Sequence, residues 1–143
     1  MRMVYVVLTR LVGVSVFLQF FFAAVGAFDR PREDGSFALH SLNGMVILPL
    51  LIVLATIAAA AARAPGRLIG LTLAPLGLVV VQVLIIVAGN VASGGAENDT
   101  GPVGLTIFGL HAVNGLVTMG VIETVSRRAR AFAKASREIP VPA

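Results

Sequence analysis

Four long apolar stretches dominate this chain, at roughly 3–28, 37–62, 68–89 and 103–125. Each is close to the roughly 20 residues that a helix needs to cross a hydrocarbon core about 30 Å thick. Lipid offers no hydrogen bonds to an exposed backbone, so such segments must be helices or a closed barrel. Barrel strands cross with about ten residues of alternating polarity, which these uniform runs do not show. The expected fold is therefore all-α and integral to the membrane. Short polar links favour antiparallel neighbours in an up-down bundle of four.

Composition agrees. Only 13% of the 143 residues are charged and 57% are hydrophobic, whereas a soluble domain carries about 25% charged residues. The chain has no cysteine, which excludes disulfides and thiolate metal sites. Its formal charge of +4 does not point to nucleic acid, because the basic residues sit where topology places them. Arg2, Arg10, Arg63, Arg67, Arg127, Arg128, Arg130, Lys134 and Arg137 fall on one side, and Arg30 and Arg32 with five acidic residues on the other. The positive-inside rule then puts both termini in the cytoplasm, in a multi-pass protein of the cell (inner) membrane. Residues 1–126 form the bundle in this reading, and 127–143 a basic tail that extends span 4 or lies on the anionic leaflet. The first span ends in small residues like a signal peptide, but its apolar run is too long and Arg10 interrupts it, so a retained helix is expected.

The two halves repeat. Gln19 is followed by Gly26, and Gln82 by Gly89; each pair precedes a polar outer loop and then L-H-x-x-N-G, at "LHSLNG" and "LHAVNG". The Gly-to-His interval is 14 residues in the first half and 22 in the second, which places an eight-residue insertion in the second outer loop. This order reads as two helical hairpins of the same orientation, related by an axis along the membrane normal.

The repeat carries the only two histidines, His40 and His111. Helical spacing aligns His40, Asn43, Gly44, Ile47 and Leu51 on one face, and His111, Asn114, Gly115, Thr118 and Ile122 on the other copy. Polar groups within a span are costly unless they face the bundle interior, so both stripes should point inward. Spans 2 and 4 lie on a diagonal, and two inward imidazoles suit axial ligation of a b-type haem. Gly44 and Gly115 would make room for the macrocycle, Asn43 and Asn114 would pack or hydrogen-bond beside it, and Gln19 and Gln82 would orient the ligands. Gly13, Gly26, Gly77 and Gly109 offer further close approach, and Arg30 and Arg32 could meet propionates. A bare metal ion fits less well, since zinc usually takes four ligands.

One difficulty is depth. His40 lies 23 residues before Arg63 and His111 only 16 before Arg127. Seven residues correspond to roughly 10 Å along a helix, too far for one iron unless helix 4 starts above the membrane, span 2 tilts or Pro49 kinks it. The competing reading needs no ligand: His, Asn, Gln and small residues are ordinary glue between membrane helices, and a duplicated hairpin duplicates its glue. Another small ligand such as a quinone is a third option.

Elsewhere, Arg10 and Glu123 are charges near the same end of neighbouring spans, suited to an ion pair, to snorkelling of Arg10, or to a proton route through Glu123. "ATIAAAAARA" with Gly66 and Gly70 reads as tight packing, and Ser36, Asp99 or Thr100 as helix caps. Phe17, Phe20, Phe21 and Phe22 read as lipid-facing or packing residues. No Ser/His/Asp set, carboxylate pair, phosphate loop or zinc signature is present, so an enzyme is not expected. The bilayer is the expected partner, with a homo-oligomer or a larger membrane complex as the further expectation.

On "QFFFAAVGAF", "FALHSLNG", "QVLIIVAGNV" and "FGLHAVNG" the chain resembles a family of small four-span bacterial membrane proteins classed as a domain of unknown function. That resemblance implies the four-span fold and no particular activity. More distantly, the paired histidines resemble one half of haem A synthase and the cytochrome-b-type four-helix reductases. The companion Glu of the first and the paired His sets of the second are missing here. The second resemblance thus implies only ligation by His40 and His111. The sequence is compatible with two functions: haem-based electron transfer, and a non-catalytic membrane scaffold or accessory subunit.

Overall fold

The computed structural model describes residues 1–31, 33, 35–94 and 101–135. Four helices long and apolar enough to cross a membrane account for most of them: α1 (Arg2–Phe28), α2 (Ala38–Ala61), α3 (Gly66–Ala92) and α4 (Pro102–Ala135). Strands are absent among the described residues. The protein is a multi-pass membrane protein in contact with the lipid bilayer. Each helix packs on its sequence neighbours, and α4 closes the ring against α1, so α2 faces α4 across one diagonal and α1 faces α3 across the other.

Pro102 opens α4, where its missing N–H costs nothing. Asp99 and Thr100 lie outside the described residues, as does part of the tail, whose residues up to Ala135 simply continue α4. Ser36 does not cap α2; its hydroxyl accepts from the Glu33 N–H at 3.0 Å and donates to Asp29 Oδ2 at 2.7 Å, bracing the loop instead. The turn after α2 places Arg63 in the left-handed region at φ 56°, and the Ala64 N–H closes on the Ala59 carbonyl at 3.0 Å.

Buried apolar side chains fill the half of the bundle that carries the termini. Tyr5, Val6, Ala58, Ala59, Ala64, Leu68 and Ala129 form one cluster, and Val12, Val16, Leu48, Ile52, Ala55 and Ile122 the next. The alanine run does pack tightly, but a Cβ added to Gly66 or Gly70 would meet nothing within 4 Å, so those two glycines are not part of it. Tyr5 and Thr72 share a hydroxyl–hydroxyl bond of 2.7 Å inside the first cluster.

Helix α2 is not uniform. Asn43–Ile47 forms a π-helical turn directly ahead of the α-helical segment Leu48–Ala61. Pro49 has no N–H to return to the preceding turn, and its ring crowds that turn's carbonyl; a widened turn relieves both. The extra residue moves the inward stripe on by one position. Leu48 and Ile52 are buried, whereas Ile47, expected to face inward, is 41% exposed. In α4, which lacks such a turn, Thr118 and Ile122 are buried as the spacing predicts.

Candidate functional site

The repeat builds a polar layer above the apolar core, with one side chain from each helix: Gln19, His40, Gln82 and His111. In the first hairpin, Gln19 Nε2 donates to the His40 carbonyl at 2.9 Å. Asn43 Nδ2 donates to Gln19 Oε1 at 2.7 Å and to the Ser15 carbonyl at 2.9 Å. Ser15 Oγ in turn donates to Asn43 Oδ1 at 2.8 Å. The second hairpin repeats the pattern: Gln82 Nε2 donates to the His111 carbonyl at 2.7 Å, and Asn114 Nδ2 to Gln82 Oε1 and to the Leu78 carbonyl at 3.0 Å. Each Asn thus bonds the Gln and the carbonyl four residues before it. Two equivalent clasps fasten α1 to α2 and α3 to α4.

The glycines serve the same packing. A Cβ on Gly44 would lie 2.5 Å from Gln19 Nε2, and one on Gly115 would lie 3.2 Å from Phe20 Cζ. A Cβ on Gly26 would fall 2.6 Å from both the Ser36 carbonyl oxygen and the Phe37 ring, and one on Gly89 would fall 2.6 Å from the Phe108 ring. Phe37 and Phe108 each stand three residues before a histidine, so the repeat includes an aromatic that sequence spacing displays but that only its glycine partner explains. Gly13 makes an ordinary contact, and Gly77 and Gly109 open onto nothing within 4 Å.

The depth mismatch does not separate the imidazoles. The His40 and His111 ring centres lie 6.0 Å apart, with 51° between the planes. Phe37 is the N-cap of α2, whereas its counterpart Phe108 lies within α4, which begins at Pro102. Residues 102–108 are thus seven extra helical residues, which raise the start of α4 by about 10 Å. Arg127, the other reference point, lies within α4 rather than at its end. Helix ends and arginines therefore mismeasured a depth that the clasps set directly.

The two rings differ in their surroundings. His40 donates from Nδ1 to the Gln19 carbonyl at 3.0 Å and accepts at Nε2 from the Gln19 amide at 3.2 Å. Both ring nitrogens therefore face α1, not His111. The His111 ring likewise lies against the Gln82 backbone, but its buried Nδ1 makes no contact of full hydrogen-bond geometry among the described residues. For a bridging metal, two bonds of about 2 Å plus about 1 Å from each nitrogen to its ring centre total about 6 Å. The separation fits a haem iron, but the nitrogen-bearing edge of His40 does not, and Gln19 and Phe20 crowd the faces of Gly44 and Gly115 that a macrocycle would need. Arg30 is turned to the Ala27 and Asp29 carbonyls at 3.0 and 2.8 Å, and Arg32 lies outside the described residues.

Beside the histidines is a cavity of about 290 Å³. Gln19, His40, Ser41, Gln82 and His111 supply its polar wall, and Met45, Val83, Ile86 and Val87 are among its apolar lining. It opens between the halves of α2 and α3 that lie away from the termini. The packing of α2 on α3 comes from Leu48–Ala61, below this level, while the outer part of α2 rests on α1. A smaller void of about 60 Å³ continues beneath, sharing Gln19, Gly44, Val79 and Gln82.

Glu123 does not pair with Arg10. Its carboxylate lies 3.7 Å from both Arg127 and Arg130 on its own helix. Phe17 and Phe21 are 66% and 55% exposed on the lipid side, while Phe20 packs against the inner core.

Residues 19–89 match the model of a family described as a family of unknown function (DUF6220), in accord with the resemblance carried by the repeat. The match begins at the Gln of the first clasp and ends at the Gly of the second hairpin. No curated protein and no solved structure matches the chain.

Proposed function

We propose that this protein binds a lipid-soluble small molecule within the membrane, in the cavity walled by His111, His40 and the two glutamines. The observation that carries this reading is a cavity beside both imidazoles that is polar at one wall and apolar at the other. Gln19 holds both ring nitrogens of His40, whereas the His111 ring has no bond of that geometry, so His40 shapes the wall and His111 is the ring freer to turn toward a ligand. Ligand sites of this kind are mostly apolar with a few placed polar groups. The opening between α2 and α3 faces lipid, which favours an amphiphile with a hydrogen-bonding carbonyl or hydroxyl head, such as a quinone.

The two histidines make the test direct. With ¹⁵N-labelled histidine, titrating decylubiquinone into the protein in nanodiscs should shift the ring signals of His111 and leave those of His40 nearly still. Val83→Trp, which fills the apolar wall, should abolish the response. Unmoved His111 signals at saturating quinone would reject a quinone-type ligand here.

A second reading is favoured by the 6.0 Å ring separation: a b-type haem held by His40 and His111, serving electron transfer. It requires His40 to rotate away from the Gln19 amide and Gln19 to vacate the space beside Gly44. A Soret band in detergent-purified protein, lost on replacing either histidine, would establish it; protein made with ample haem and showing no such band would exclude it.

A further inference from the structure

On the face of the bundle formed by α1 and α4, a groove of about 490 Å³ runs past Arg10, Gly13, Phe17, Met119, Glu123 and Arg130. It shares no residue with the histidine cavity. A bond from Ser126 Oγ to the Thr9 carbonyl, 3.2 Å long, sets Thr9 and Ser126 at one height. Arg10 and the Glu123–Arg127 turn therefore stand at the same level. Outward from that level, Leu11–Phe28 and Val103–Ile122 are free of charged residues. At 1.5 Å per residue these stretches are about 27 and 30 Å long, the thickness of a hydrocarbon core. Arg10 thus sits at the edge of the hydrocarbon, where lipid phosphates lie.

The charges there do not balance. Glu123 is engaged by Arg127 and Arg130, and Arg10 has no protein partner among the described residues. Three guanidiniums against one carboxylate leave a surplus of two positive charges. An unpaired arginine at this depth is costly unless it meets an anion or water, and its planar fork matches a phosphate. Above the charges the groove turns apolar: Phe17 and Val14 are exposed on α1, Met119 lines the wall of α4, and Gly13 leaves a dent between them.

We propose that this groove is a binding site for an anionic phospholipid, with the phosphodiester between Arg10 and Arg130 and one acyl chain along Gly13, Phe17 and Met119. A headgroup without its own cation fits the surplus charge. A zwitterionic headgroup would bring an ammonium against the guanidiniums. The apolar extension selects a lipid over a free anion, and basic pockets between membrane helices are known takers of such headgroups.

The test is lipid retention. The full chain is released by native mass spectrometry from nanodiscs of phosphatidylcholine containing a minor fraction of phosphatidylglycerol. Bound lipid should be enriched in phosphatidylglycerol over the bulk mixture. Arg10→Gln should lower that enrichment about fivefold, the worth of one basic residue at a membrane surface, and Arg10→Gln with Arg130→Gln should remove it. Gly13→Val, which fills the dent without touching charge, should also weaken it. Arg2→Gln should change nothing, because Arg2 already stacks on Phe132 at 4.3 Å. Unchanged enrichment in Arg10→Gln would overturn the proposal. Displacement of the lipid by millimolar inorganic phosphate would overturn it too, by reassigning the site to a free anion. Circular dichroism of each variant establishes that the helices are intact.

Discussion

Asn43 donates from its side-chain amide to Gln19 Oε1 at 2.7 Å, and Asn114 makes the same bond to Gln82. These pairs join helices through groups that lipid cannot hydrate. Their geometry explains most of the duplicated residues as parts of a fastening, and it leaves the His111 ring less firmly held than that of His40.

The clasps should contribute unequally. Gln19 contacts the His40 carbonyl, the His40 ring and Asn43, whereas Gln82 contacts the His111 carbonyl and Asn114. Hydrogen bonds between membrane helices average about 0.6 kcal/mol, with an upper end near 1.7. Gln19→Leu should therefore destabilise by about 1–3 kcal/mol, and Gln82→Leu by less. Equilibrium unfolding in mixed micelles measures both; equal losses would argue against the additional ring contact.

Glycine replacements should sort by what the new methyl meets. Gly26→Ala drives a Cβ to 2.6 Å from a backbone oxygen that cannot rotate away, and Gly44→Ala drives one to 2.5 Å from the engaged Gln19 amide. Both should lower thermal stability in detergent, Gly26→Ala more. Gly109→Ala and Gly77→Ala meet nothing and gain up to about 1 kcal/mol of helix propensity. A stabilised Gly26→Ala would contradict the packing described.

The two imidazoles should be spectroscopically distinct without any ligand. His40 donates from Nδ1 to a carbonyl and accepts at Nε2, which specifies the Nδ1–H tautomer when neutral. In ¹⁵N spectra its two ring nitrogens should show that tautomer, and Gln19→Leu should erase the preference. Identical patterns for both histidines would be at odds with the asymmetry.

Arg63 occupies a left-handed position at φ 56°, where L side chains pay a steric penalty of roughly 1–2 kcal/mol. Arg63→Gly should raise stability by about 1 kcal/mol, read from the same unfolding curves. A loss would mean that its side chain makes a compensating contribution at the turn.

Much of this architecture is legible in the chain. Apolar length, measured against the thickness of a bilayer, specifies four helices, and repetition of Gln, Gly, His, Asn and Gly specifies two like hairpins. Those inferences rest on local periodicity and on the cost of unpaired backbone in lipid, which need no knowledge of neighbours. Other features depend on what meets what. Pro49 was visible, but the π turn that moves the inward stripe from Ile47 to Leu48 is a response to packing. Gly44 could have served a macrocycle until Gln19 was seen to fill its space. Glu123 could have paired with Arg10 until its own helix supplied two closer arginines. Only the tertiary structure decided that His40 and His111 meet: their separation depends on the relative axial positions of two helices far apart in sequence, which cross-helix bonds set and residue counting does not.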